Sequence, residues 1–292
     1  MKQPLLVFLD ILLFVWYDKY NNKMKREYYM NILITGAASG IGNALTQKML
    51  SEGHTVWALD IVGIAPEERL VPLCADITRE EDLQRIAEKL RTDAVTLDSL
   101  ICVAGIHRMA SLVESETDTL SRVIDVNLIG TMLTCRILHS LLAPKGRVFI
   151  VTSEVASFDP LPFNGLYNVS KTALDAYAQA LRQELGLIGQ KVITIRPGAV
   201  ETPLQNSSLS ATEQLAATTK LYKKQSKHFL FFVKHFMGKP MKAEKMAEKI
   251  ARIHRKRHPK LIYKIHQNAG LVLLSLLPKR LQCAIIRALL NR

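Results

Sequence analysis

NILITGAASGIGNALTQKMLSEG, residues 31–53, decides the fold. NILIT (31–35) is a short apolar run that ends in a glycine-rich turn. The residues behind it, IGNALTQKMLSEG (41–53), read as a helix that stops at Gly53. An apolar run of this length, bounded by a turn and followed by a helix, reads as a buried strand.

The same alternation repeats along the chain. HTVWALD (54–60), LVPLCAD (70–76), LDSLICVAGI (97–106), KGRVFIVTS (145–153) and KVITIRPG (191–198) read as further strands. Helical patterns lie between them over 80–90, 116–142 and 165–186. Strands buried on both faces appear as continuous apolar runs, and alternating strands and helices build a doubly wound parallel sheet. The expected fold is therefore α/β, a single Rossmann-like domain. After Pro203 the pattern weakens: 204–240 lacks strong periodicity and holds the phenylalanine knot HFLFFVKHF. A helix over 241–257 and a short strand, KLIYKI (260–265), follow.

Composition narrows the class. Hydrophobic residues make up 48% of the 292 and charged residues 22%, enough for a large core. Cys74, Cys102, Cys135 and Cys283 have no CxxC spacing, so they read as reduced thiols in a cytosolic setting. The net charge of +13 is uneven. Residues 1–218 carry 20 Lys and Arg against 24 Asp and Glu, whereas 219–292 carry 19 against 2. Any anionic partner belongs to the last quarter. PLLVFLDILLFVWY (4–17) is short for a membrane span and interrupted by Asp10. Three readings of residues 1–30 stand: a peripheral membrane anchor, untranslated sequence ahead of a start at Met24 or Met30, or a helix packed on the domain.

Chemistry enters at the turn. TGAASGIG (35–42) lies between strand and helix, where Gly36 permits a tight turn, Gly40 lets backbone amides approach a pyrophosphate and Gly42 lets the helix pack closely. The helix start adds free N–H groups and partial positive charge. Asp60 ends the second strand, placed to accept a bond from a ribose 2′-hydroxyl and to repel a 2′-phosphate. No Arg or Lys stands in the glycine loop or directly after Asp60, so NAD is expected over NADP. In GLYNVSKTALDAY (165–177), Tyr167 and Lys171 share a helix face. A nearby ammonium favours phenolate, which would make a tyrosine of ordinary pKa ~10 a usable acid or base.

The order TGAASGIG, Asp60, CVAG (102–105), Asn127, Ser153, Tyr167-NVS-Lys171 and RPGAVETP (196–203) resembles the short-chain dehydrogenase/reductase family over about residues 31–203. The resemblance implies that Tyr167 is the catalytic acid/base and that Lys171 lowers its pKa and bonds the nicotinamide ribose. It implies that Ser153 orients the substrate oxygen and that Asn127 holds a water linking the lysine to solvent. Asp76 matches the acidic residue near the adenine, and Thr202 the residue that holds the carboxamide. Ser39, Ile41, Ile77, Ala104, Gly105, Pro197, Gly198 and Val200 complete the expected cofactor path. The chain departs from the pattern twice. Val103 stands where the family has an asparagine that ties the sheet together. The Ser153–Tyr167 spacing is one residue longer, the extra residue falling in FDPLPFNG (158–165).

The implied activity is hydride transfer between NAD and an apolar secondary alcohol or ketone, steroid- or lipid-like, by a dimer or tetramer. A sugar-nucleotide epimerase and a catalytically idle, membrane-associated NAD(H) sensor are the rivals. No metal is expected, since His254 and His258 sit among cations, and no nucleic acid, since no recognition motif appears. The domain is expected over 31–265, with a substrate lid at about 204–240 and a basic amphipathic tail over 266–292. Leu281, Ile285, Ala288 and Leu289 form one stripe of that tail beside Lys279, Arg280, Arg287 and Arg292. Such a tail suits an anionic membrane surface; packing on the domain or on a partner subunit is the alternative. The expected location is cytoplasmic, with peripheral membrane contact through this tail.

Overall fold

The computed structural model describes residues 29–236 and 238–292. The apolar run 4–17 lies outside them. The strands in chain order are β1 (Asn31–Thr35), β2 (Thr55–Asp60), β3 (Leu70–Cys74), β4 (Leu97–Cys102), β5 (Leu142–Val151), β6 (Lys191–Pro197), β7 (Val200–Glu201), β8 (Met241–Lys242) and β9 (Ile262–Ile265). Seven of them form one parallel sheet in the order β3-β2-β1-β4-β5-β6-β9, and β7 pairs with β8. The chain travels outward from β1 to β3, then crosses back to place β4 on the other side of β1. Connections leaving the two neighbours in opposite directions open a crevice at their carboxyl ends, where α/β sheets bind ligands.

Both faces of the sheet are covered, as the continuous apolar strands require. Ile32 and Ile34 enter one core, Leu33 the other; Val56 and Ala58 are likewise opposed by Trp57 and Leu59. α1 (Gly40–Ser51) closes the first core with Leu45 and Met49, beside Met246 and Ile250 of a later helix, Ala243–His254. α2 (Glu80–Thr92) closes the second with Leu83 and Ile86, joined by Leu174 and Leu185 from Gly165–Leu187. Pro72 lies on β3, the outer strand, which tolerates a residue without an N–H.

Three stretches differ from the sequence expectation. The single helix over 116–142 is divided into α3 (Thr117–Ile124), a π-helical turn at Asp125–Ile129 and α4 (Gly130–Leu138), and β5 already begins at Leu142. Such wide turns interrupt the i→i−4 ladder and occur at functional sites; this one buries Asn127 completely. The aperiodic region 204–240 holds two helices, α6 (Pro203–Thr218) and α7 (Lys223–Phe236), after α5 (Gly165–Leu187). α6 starts as its Thr202-Pro203 pair signals: the Thr202 hydroxyl accepts from Gln205 N, with proline in the first turn. These helices close on a third, smaller core of Met109, Phe163, Ala211, Leu215 and Phe229. The helix expected over 241–257 is shorter, α8 (Ala243–His254), with β8 ahead of it. The tail is two helices, α9 (Ala269–Ser275) and α10 (Lys279–Leu290), parted by Pro278.

Among the described residues no helix is long and apolar enough to cross a membrane. His254 is a core residue, sharing a 2.8 Å hydrogen bond with Ser99 Oγ, and burial takes its pKa down to about 3. All four cysteines are free thiols, Cys102 and Cys135 buried side by side.

Candidate active site

A cleft of about 1120 Å³ opens at the carboxyl ends of the strands. Its floor begins where β1 turns into α1. Gly36 adopts φ +70°, and a Cβ there would lie 2.8 Å from the Ala104 backbone. A Cβ on Gly42 would lie 1.9 Å from the Gly36 carbonyl oxygen, so the turn closes only on glycine. Ser39, the N-cap of α1, is extended and makes no side-chain cap bond, and no acidic residue sits in the first turn. The helix start is thus left without a built-in anion.

Two carboxylates flank this start. Asp60 takes the Ala38 amide on Oδ2 at 2.9 Å and the Val62 amide on Oδ1 at 3.1 Å. Asp76 accepts the Thr78 amide and hydroxyl on Oδ1; its Oδ2 takes no bond from the described residues. Ser39, Gly40, Ile41, Ile77, Ala104, Gly105, Pro197, Gly198, Val200 and Thr202 also line the cleft. An open helix start, a turn with no room for side chains and acceptors on either side fit a nicotinamide dinucleotide.

Deeper in the cleft stand Ser153, Tyr167 and Lys171. Ser153 follows β5 and caps a 3₁₀ turn, Glu154–Ser157, by accepting from Val155 N at 3.4 Å. Tyr167 and Lys171 come from the first turns of α5. Lys171 Nζ donates to Val151 O at 3.2 Å and lies 5.9 Å from the tyrosine ring centroid. The longer spacing is absorbed in the loop before α5, where Phe163 takes φ +64° and Ala110 N donates to its carbonyl. Asn127 does not line the cleft. Its Oδ1 accepts from Ile106 N at 2.7 Å, and its Nδ2 donates to Ile106 O and Ser170 Oγ. A Cβ on Gly105 would be 3.0 Å from Asn127 Oδ1 and 3.3 Å from Lys171 Nζ, so the three share one tight corner.

The electrostatics correct the simple expectation for the pair. Burial pushes the Tyr167 phenol up to about 12; the Ser153 hydroxyl opposes the rise and the Glu154 carboxylate adds to it. Burial likewise takes Lys171 down to about 8. Both groups have lost water, and that loss is the largest cause of each shift. In the chain alone, the lysine does not yield a ready phenolate.

Residues 30–214 match the short chain dehydrogenase family. The chain belongs to that family. An NADPH-dependent 1-acyldihydroxyacetone phosphate reductase of Schizosaccharomyces pombe is 34% identical to this short-chain dehydrogenase over 193 residues, 63% of this chain and 64% of that protein. A bovine 3-hydroxyacyl-CoA dehydrogenase type-2 is 31% identical over 192 residues, 59% of this chain and 74% of the relative. A short chain dehydrogenase from Burkholderia cenocepacia, solved in complex with NADP, superposes with TM-score 0.67 at 21% identity, covering 91% of this chain and 99% of its own. The protein is an NAD(P)-dependent oxidoreductase.

Three further residues of this dehydrogenase, to which the sequence assigns no role, complete the corner. His107 packs its ring 4.0 Å from that of Tyr167 and bonds Asn164 Oδ1 at 2.8 Å; burial lowers its pKa to about 4, so it is neutral beside the phenol. Glu154 is buried, its carboxyl raised by burial, and its Oε2 accepts from Asn268 N at 2.6 Å. Thr35 Oγ1 accepts from both Val103 N and Ala104 N at 3.2 Å. No fixed spacing marks the first two. Thr35, opening the glycine motif, was in view, but its hydroxyl's work depends on β4 lying beside β1.

Proposed function

We propose that this dehydrogenase transfers hydride between NAD and an apolar secondary alcohol or its ketone, with Tyr167 as the acid/base. The observation that carries the reading is the convergence of Ser153, Tyr167 and Lys171 in one cleft with the open start of α1. Bound NAD supplies the hydride acceptor in oxidation, and its reduced form the donor in reduction. In oxidation, Tyr167 takes the hydroxyl proton as the substrate carbon gives up hydride and its oxygen becomes a carbonyl. Ser153 Oγ donates to that oxygen while charge develops on it. Lys171 stays near the phenol as a positive charge at neutral pH. The positive nicotinamide ring adds to that field when present, which supports a phenolate that burial alone disfavours. Asn127 holds the loop at Ile106 against α5 and so sets the position of Lys171.

NAD is the preferred cofactor in this reading, because Asp60 ends β2 and no cation directly follows it. The substrate end of the cleft carries Met109, Phe158, Leu161, Phe229, Phe232 and Val233, which suits an apolar body. The fission-yeast and bovine relatives are both named for acyl-bearing compounds, which supports a lipid-like substrate. Val169 on α5, with Ile129 and Met132 at the α4 end of the neighbouring helix, is solvent-exposed on the outer faces, which supports association with a second copy.

The test is NADH absorbance with purified protein on a panel of hydroxysteroids, acyl-chain ketones and simple secondary alcohols. Tyr167→Phe is expected to lower kcat by about 10²–10⁴-fold with NADH binding intact. Turnover of the variant within tenfold of the parent would remove Tyr167 from its assigned role.

A further inference from the structure

The C-terminal quarter does more than close the fold. Leu271, with Ala269 and Gly270 of α9, lines the cleft, as do Phe229, Phe232 and Val233 of α7. α10 is fastened to α7: Gln225 Nε2 donates to Asn291 Oδ1 at 2.7 Å, His228 Nδ1 bonds Leu290 O at 2.9 Å, and Leu290 packs on the third core. Glu154, beside Ser153, holds Asn268 at the head of α9. Lid, tail and active-site loop are therefore one assembly around the mouth of the cleft.

The outer side of that assembly leaves several leucines uncovered. Leu273 is 66% exposed, Leu276 75%, Leu281 46% and Leu289 42%. Leu273 and Leu276 are three apart and so share a helix face. On α7 and α10, Lys223, Lys224, Lys227, Arg280 and Arg287 are exposed and take part in no ion pair among the described residues. Arg280 and Arg287 are seven apart, two turns along one stripe of α10. Packing on the domain would have covered the leucines; it uses Gln282 and Leu290 instead. An excess of 19 cations over 2 acids in residues 219–292 excludes a cationic partner. Exposed leucines set among cations match a surface that is anionic outside and apolar beneath.

We propose that α7, α9 and α10 form a docking face for an anionic lipid bilayer, with the mouth of the cleft beside it. The face would bind such a bilayer whatever the substrate turns out to be. It would also let a lipid-like substrate pass between bilayer and cleft without crossing water.

The test is hydrogen exchange of the full chain, alone, with phosphatidylcholine vesicles, and with vesicles that also contain phosphatidylserine. Slowed exchange is expected in peptides of α7, α9 and α10 with the anionic vesicles, much less with the neutral ones, and is reversed by salt. Arg280→Gln with Arg287→Gln should weaken partitioning roughly fivefold per cation. Leu273→Asp with Leu276→Asp, both exposed positions, should remove the protection while near-UV circular dichroism and NADH binding stay unchanged. Vesicle binding with these three helices exchanging as in the free chain would overturn the proposal and place the contact elsewhere. So would equal protection by neutral and anionic vesicles, or protection that rises with protein concentration alone, the mark of a second copy on this face.

Discussion

Thr35→Val should be among the most damaging conservative substitutions in the glycine motif. Thr35 is buried on β1, and its Oγ1 is the acceptor for the amides of Val103 and Ala104, each at 3.2 Å. Among the described residues neither amide bonds a backbone group. This chain has valine where the family pattern places a sheet-tying asparagine, so the threonine hydroxyl is the polar tie between β1 and the loop after β4. Valine keeps the shape and removes the acceptor. Each orphaned, part-buried donor costs up to about 1–3 kcal/mol, so two cost at most roughly 2–6, and the added methyl returns about 1. A net loss near 3 kcal/mol lowers Tm by roughly 6–12 °C for a chain of this size. Thr35→Ser keeps the acceptor and should lose only about 1 kcal/mol for its methyl. The assay is thermal and urea unfolding of both variants beside the parent, with NADH titration at 25 °C. The cofactor should also bind more weakly to Thr35→Val, because Ala104 and Gly105 line the cleft. A fall in Tm of under about 2 °C for Thr35→Val, below ~1 kcal/mol, or equal losses for the two variants, would refute the reasoning.

Other outcomes follow from the same structure. Asp60→Asn keeps an acceptor for Ala38 N but removes the charge that repels a 2′-phosphate, so the ratio of kcat/KM for NAD over NADP should fall at least about tenfold; an unchanged ratio would take cofactor choice away from Asp60. Burial holds His107 and His254 near pKa values of about 4 and about 3, below the ordinary 6.5. The unfolded chain therefore binds their protons first, and the stability they contribute is complete above pH 6.5 and declines as pH falls toward the folded values. At pH 5 the loss should be about 2 kcal/mol for each, read as a lower urea midpoint than at pH 7.5; a midpoint flat over that interval would mean that the rings are open to water. Val169→Glu should shift the mass seen by light scattering toward the monomer with the cleft's NADH affinity retained; a parent that is already monomeric would end the oligomer reading.

The elements that sequence alone made legible are those with short-range causes. β1 through β6, the glycine turn and the Tyr167–Lys171 face follow from apolar runs, glycines and helical spacing, all local to a few residues. Every residue expected along the cofactor path does line the cleft. α6 and α7 escaped because they bury their apolar residues against one another and against Leu161, Phe163 and Leu290, from distant parts of the chain, rather than as a regular stripe on the sheet. The π-helical turn at Asn127 escaped for a related reason. It is set by the pull of Ile106 and Ser170 on one side chain, while the helical spacing of its neighbours continues almost undisturbed.

The amino-acid sequence by itself determined the doubly wound sheet, the family and which side chains are the candidates for the chemistry, because these rest on residue type and order. Only the tertiary structure decided how those side chains are tuned. Removal of water from Tyr167 and Lys171 raises one pKa and lowers the other, in opposition to the attraction that their spacing suggests. Tertiary packing alone also brought Glu154, Asn268, α7 and the basic tail to one rim of the cleft, since residues more than a hundred positions apart meet only when the sheet has closed.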